Sequence, residues 1–211
     1  MSPDVVGPLL PAIPFAAALV GLLLPLRARR AAAALGVGGA FAALVLTAVL
    51  AIRFEQPYGT SIRVVDIGPF PVTYGVRIDW AAIYVALAVA AVALAVQVYS
   101  VAYLADDDRY PPYAAQVSLF TAAMLLVVLA GDLIVVLIGW EVMGICSYLL
   151  IAHDRRLPEA PGAAMKAFLV TRVGDVGFLL GIAVLGVAVG SFRIADVLSA
   201  VASQQIGTAT L

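Results

Sequence analysis

From Leu133 to Ala152 the chain runs apolar for about twenty residues, the length that spans a ~30 Å bilayer core. It carries one charge in that run, Glu141, almost at the middle. A carboxylate at that depth costs on the order of 3 kcal/mol even on the gentler insertion scales, so it is rarely there without a partner or a task. Burial disfavours the charged form, and a glutamate so placed can take and release a proton near neutral pH. The first expectation is therefore a proton-handling group inside a membrane.

The bulk composition agrees with a membrane chain. Hydrophobic residues make up 64% and charged residues 12%, with a mean hydropathy of +1.09, whereas a soluble domain carries about a quarter charged residues. The net charge of -1 says nothing about partners, and no basic block suggests nucleic acid. The single cysteine, Cys146, shares the run of Glu141 and excludes an intrachain disulfide framework. The sequence holds no C-x-x-C, no His/Cys cluster and no strand-borne G-x-G-x-x-G, so no iron–sulfur, haem, zinc or dinucleotide cofactor is expected on this chain. Met1 to Asp4 carry no positive charge, and Arg27, Arg29 and Arg30 follow the first apolar stretch. That stretch reads as a retained span and not as a cleaved signal.

The expected architecture is an all-α integral membrane protein with spans near 5–26, 31–52, 80–104, 113–131, 133–152 and 162–190. Pro8, Pro11, Pro14 and Pro25 predict a kinked first span, which neighbouring helices can tolerate. Spans four and five are joined only by Gly131-Asp132, which forces antiparallel neighbours and makes Asp132 a natural N-cap. Between spans two and three, over about 57–79, Tyr74, Val76 and Ile78 alternate with polar residues. A β-rich run from Ile62 to Ile67 precedes Gly68-Pro69, so a small β-hairpin outside the bilayer is expected. After span six, Ile194, Val197, Leu198 and Val201 recur at helical spacing and predict a C-terminal amphipathic surface helix. The chain divides into 1–112 (three helices and the hairpin), 113–190 (three helices) and a connector over 191–211.

The connections at 27–30, 105–112 and 153–161 carry Arg27, Arg29, Arg30, Arg109, Arg155 and Arg156, while the opposite N-terminus and 131–132 turn carry no arginine. The positive-inside rule puts the arginines in the cytoplasm and the N-terminus and hairpin outside.

A second set of membrane charges lies in span six: Lys166, Arg172 and Asp175. Arg172 and Asp175 are three residues apart on one helical face and can form an ion pair. Either they neutralise each other and only help insertion, or they act, alone or through a neighbouring subunit. Lys166 either snorkels to the headgroups or shares that function. Glu141 itself has a structural alternative, a carboxylate hydrogen-bonded to pack helices, with Ser147 and Tyr148 within reach. His153 reads as a solvated loop residue, Asp79 and Asp132 as N-caps, Trp140 and Met143 as packing. Gly177/Gly181 and Gly186/Gly190 have the spacing that lets membrane helices approach closely.

At GWEVMGICSYLLI (Gly139 to Ile151), followed by AAMKAFLVTRVGDVGFLLG (Ala163 to Gly181), the sequence resembles the subunit L family of bacterial NADH-quinone oxidoreductase, respiratory complex I. This is the antiporter-like family that includes mitochondrial subunit 5. The resemblance is strongest over about 113–190. It implies that Glu141 matches the fifth-helix glutamate of proton transfer. It implies too that Asp175 and Arg172 match the sixth-helix pair facing the neighbouring antiporter-like subunit, and Lys166 the lysine opening that helix. The implied function is a component of a redox-linked proton pump in the cell inner membrane, with no redox centre of its own and with other membrane subunits and lipid as partners. Family members continue with further helices, including a seventh-helix lysine expected to modulate the glutamate. By resemblance this chain is a fragment, a truncated product or the first half of a split gene, and pumping needs the rest in the same assembly. Alternatives are the large subunit of a cation/proton antiporter, a subunit of a ferredoxin- or hydrogenase-linked complex, or a membrane scaffold that transports nothing.

Overall fold

A computed structural model describes residues 3–67 and 70–203. Its elements are α1 (Pro3–Leu23), α2 (Arg29–Arg53), β1 (Tyr58–Ile67), β2 (Phe70–Ile78), α3 (Trp80–Tyr103), α4 (Tyr110–Val128), α5 (Leu133–Ile151), α6 (Ala160–Val189) and α7 (Ile194–Ala202). The six helices α1 to α6 are each long and apolar enough to cross a membrane. At nine residues, α7 is only about 14 Å long and cannot. The protein is thus all-helical in its membrane part, with a β-hairpin between α2 and α3.

Prolines account for most differences in helix bounds. α4 starts at Tyr110, with Pro111 in its first turn, and α6 starts at Ala160, with Pro161 there. The first helical turn needs no intrahelical N–H, so proline opens a helix as readily as it ends one. α1 runs through Pro8, Pro11 and Pro14 and stops before Pro25.

Helices α1, α2, α3 and α4 form the packed part of the bundle. α5 packs on α4, and α6 lies against α5 at the margin. Close approach is bought with small residues: a Cβ on Gly139 of α5 would sit 2.6 Å from the Val127 side chain of α4. Between α2 and α3, Gly36 leaves room for the buried amide of Gln97, whose Nε2 donates to Ala114 O and Ser118 Oγ, both at 3.0 Å.

At the hairpin end, β1 and β2 pair antiparallel from Tyr58↔Ile78 to Ile67↔Phe70, with a register shift between Arg63 and Val65. The turn at 68–69 lies outside the described residues. β2 then pairs with the link between α4 and α5: Gly131 N–H donates to Gly75 O and Arg77 N–H to Leu129 O, both at 2.8 Å. On its other side the link meets the α6–α7 connection, through Leu133 N–H to Phe192 O (2.9 Å) and Ile194 N–H to Gly131 O (3.0 Å). Asp132 is fully buried there. Its carboxylate caps α5 by accepting from Ile134 N–H at 2.8 Å and holds the hairpin by accepting from Thr73 Oγ1 at 2.9 Å. Asp79 caps α3 through Ala82 N–H at 2.8 Å.

Two glycine readings change. Gly190 ends α6 at φ 76, the left-handed conformation a helix C-terminus favours, and Gly186 lies under the Phe192 ring. A Cβ on Gly177 or Gly181 would touch nothing among the described residues, so neither makes a close helix contact there. In α7, Val197 and Ala200 are buried while Leu198 and Val201 are exposed, so the covered stripe is narrower than the sequence predicts.

Candidate functional site

Glu141 sits in the middle of the nineteen-residue α5. The helix that approaches it is α6, and the side chain that reaches it is Arg172, whose guanidinium Nη1 forms an ion pair with Glu141 Oε2. Nη2 of Arg172 also donates toward the Glu141 backbone carbonyl at 3.4 Å. On its own helix, Arg172 Nη1 lies 3.5 Å from Asp175 Oδ2. One guanidinium is therefore shared by two carboxylates from different helices, and the sixth-helix pair of the sequence and the fifth-helix glutamate are one site.

The surroundings explain how the cation gets there. Gly144 is one turn beyond Glu141 on α5, and a Cβ there would sit 2.6 Å from Arg172 Nη2. The guanidinium lies over the Phe168 ring at 4.7 Å from its centroid, a favourable cation–π placement. The Arg172 side chain is 24% exposed, Asp175 13% and Glu141 36%. Arg172 Nε is buried without a hydrogen-bond partner among the described residues.

Trp140 is not merely packing. Its indole Nε1–H donates to Asp175 Oδ1 at 2.7 Å, and its ring lies 5.6 Å from that of Phe178. The sequence signals were modest: Trp140 adjoins Glu141, and Gly144 stands three residues beyond it on the same face. Ser147 and Tyr148 make no hydrogen bond to Glu141 among the described residues; Tyr148 packs its ring against Phe168 instead. Lys166 is exposed, seven residues into α6, and pairs with no described residue.

A separate polar cluster occupies the arginine end. His153 is not solvated: its side chain is 9% exposed, with Nε2 2.9 Å from Asp107 Oδ2 and its ring 5.2 Å from that of Tyr113. It fastens the end of α5 to the α3–α4 loop. Burial alone would raise the Asp107 carboxyl, but the Arg109 N–H, His153 and Arg156 outweigh it and hold that group below the usual carboxylate range. Arg29 donates to Leu104 O (2.6 Å) and Val101 O (2.8 Å), neutralising the C-terminal end of α3.

With its six membrane-length helices, the β-hairpin between α2 and α3 and the charge-sharing site between α5 and α6, the chain is similar to antiporter-like membrane subunits. Residues 130–211 match the family described as NADH:quinone oxidoreductase/Mrp antiporter, TM, and residues 64–114 match NADH-Ubiquinone oxidoreductase (complex I), chain 5 N-terminus. The chain is homologous to the subunit L and Mrp antiporter-like family. It is 35% identical over 195 residues to the chloroplastic NAD(P)H-quinone oxidoreductase subunit 5 of Chlorokybus atmophyticus, covering 88% of this chain and 30% of that protein. To NADH-quinone oxidoreductase subunit L of Escherichia coli (strain K12) it is 35% identical over 149 residues, covering 68% of this chain and 24% of the relative. Among solved structures, a chain of the Mrp complex from Dietzia sp. superposes with a TM-score of 0.80 at 26% identity, covering 97% of this chain and 22% of that one. The chain thus spans less than a third of the length of these relatives.

Proposed function

We propose that this chain forms the first part of an antiporter-like subunit that moves protons across the cell inner membrane, coupled to electron transfer on other subunits of an NADH:quinone oxidoreductase. The observation that carries this reading is the Arg172 guanidinium held between Glu141 and Asp175 across α5 and α6. Glu141 is the proton-transfer group. An ion pair keeps it charged, and movement of Arg172 toward Asp175 leaves it free to take a proton. Arg172 is the movable cation, Asp175 its second holder, and Lys166 an exposed positive charge on the same helix for the proton path or a neighbouring subunit. The other membrane subunits, especially an adjacent antiporter-like one, are the partners, and further helices beyond α6 complete the path. The arginine end lies in the cytoplasm and the hairpin outside, in keeping with the positive-inside rule.

The likeness to the Mrp complex of Dietzia sp. supports a second reading, the large subunit of a cation/proton antiporter. Inverted membrane vesicles containing the assembled complex separate the two. A redox-linked pump acidifies the vesicle interior when NADH is added and does so without sodium. An antiporter moves protons only against an imposed sodium gradient. Neither activity would leave the scaffold reading.

A further inference from the structure

We propose that Trp140 is a positioning residue, whose indole N–H holds the Asp175 carboxylate so that Arg172 stays divided between Asp175 and Glu141. The inference rests on the proton-transfer function proposed above. The two oxygens of Asp175 have different tasks: Oδ1 accepts from Trp140 Nε1 at 2.7 Å, and Oδ2 faces Arg172 Nη1 at 3.5 Å. With one oxygen fixed by the indole, the other has a set direction. The Asp175 side chain is only 13% exposed, and a hydrogen bond accepted by a carboxylate is shorter and stronger than one between neutral groups. Trp140 also precedes Glu141 in the chain. One turn of α5 thus offers Arg172 a carboxylate and, through the indole, controls the competing carboxylate on α6. The Phe178 ring packs beside the indole, with the centroids 5.6 Å apart.

Without the N–H, Asp175 keeps only its longer contact to Arg172. The cation then commits to Glu141, and a glutamate locked in one ion pair exchanges protons slowly. Hydrogen bonds to charged groups are strong enough that their loss is expected to slow translocation about tenfold.

The test compares Trp140→Phe, Trp140→His and Glu141→Gln in native membranes, with proton translocation normalised to assembled complex. Phenylalanine keeps the ring against Phe178 but has no N–H. Histidine loses apolar area but carries a nitrogen two bonds from Cγ of a five-membered ring, as the indole does. The expected result is a roughly tenfold slower Phe variant and a His variant restored to near the parental rate. A Phe variant at the parental rate, or a His variant as impaired as Phe, overturns the proposal and leaves the role of Glu141 standing. A Glu141→Gln variant that translocates normally removes the underlying function and this inference with it. Should the Phe variant fail to assemble, Trp140→Leu, apolar and equally without an N–H, replaces it: roughly tenfold slower translocation supports the proposal, and the parental rate overturns it.

Discussion

The Arg172 guanidinium reaches from α6 to the carboxylate of Glu141 in the middle of α5, while the carboxylate on its own helix, Asp175 three residues along, lies 3.5 Å away. An arginine that pairs across helices in preference to its own turn is poised between two holders. Guanidinium does not lose its charge in proteins, so what can change at this site is where it points and which carboxylate carries a proton.

That arrangement alters what Asp175→Asn does. On the sequence alone the substitution strands a buried guanidinium. In the structure Arg172 keeps Glu141, so Asp175→Asn is mild for assembly. Arg172→Met instead leaves two carboxylates without their cation. The pair is partly exposed, so breaking it from one side costs less than the about 3 kcal/mol of a fully buried pair, and the Met variant is expected to assemble less well and unfold at lower temperature than the Asn variant. Blue-native gels and thermal unfolding of detergent-solubilised complex give the order.

Gly144 gives the cheapest way to push the cation without removing any charge. A Cβ at this position would sit 2.6 Å from Arg172 Nη2. Gly144→Ala is expected to improve the intrinsic helicity of α5 by up to about 1 kcal/mol and yet lower proton translocation, because the guanidinium must shift. A variant that is both normally assembled and fully active would show that the placement of Arg172 is not needed.

At the hairpin end, Asp132 carries two duties, capping α5 and accepting from Thr73. Loss of an N-cap costs about 1 kcal/mol, and a hydrogen bond to a charged group about 1.5–3 kcal/mol. Asp132→Ala is expected to destabilise by about 2 kcal/mol or more, with faster amide exchange in β2 and the first turn of α5. Thr73→Val should lose only the second part.

The contact between His153 and Asp107 gives a pH dependence of defined sign. The Asp107 carboxyl is held below its ordinary value by Arg109 N–H, His153 and Arg156 against the effect of burial. Its contribution is thus present above the unfolded carboxylate value of about 3.9 and is lost as pH falls through the lower folded value. Amide protection of the 104–109 loop should hold from neutral pH to about 5 and fall below about 4. In Asp107→Asn that acid-side fall should vanish, with weaker protection throughout.

Much of this was legible in the sequence because a bilayer imposes length and apolarity on each span, so six helices follow from six runs. The hairpin was legible from the alternation of Tyr74, Val76 and Ile78, and the caps from Asp79 and Asp132 preceding apolar runs. Arg172 and Asp175 were legible as a pair because they are neighbours on one helix. That Arg172 also belongs to Glu141 was not, since the partners lie 31 residues apart and only the packing of α6 on α5 joins them. Trp140 and His153 were misread for a similar reason. An indole or imidazole serves packing or hydrogen bonding equally well, and the choice depends on carboxylates supplied by other segments.

The most direct measurement is the proton-to-electron ratio of the fully assembled complex carrying Glu141→Gln. Glutamine keeps the size of the side chain and can still accept from Arg172, but it cannot titrate. The predicted result is intact assembly with a lowered ratio, and lowered turnover if the steps are tightly coupled. A parental ratio at parental turnover would contradict the account and leave Glu141 as a residue that only packs helices.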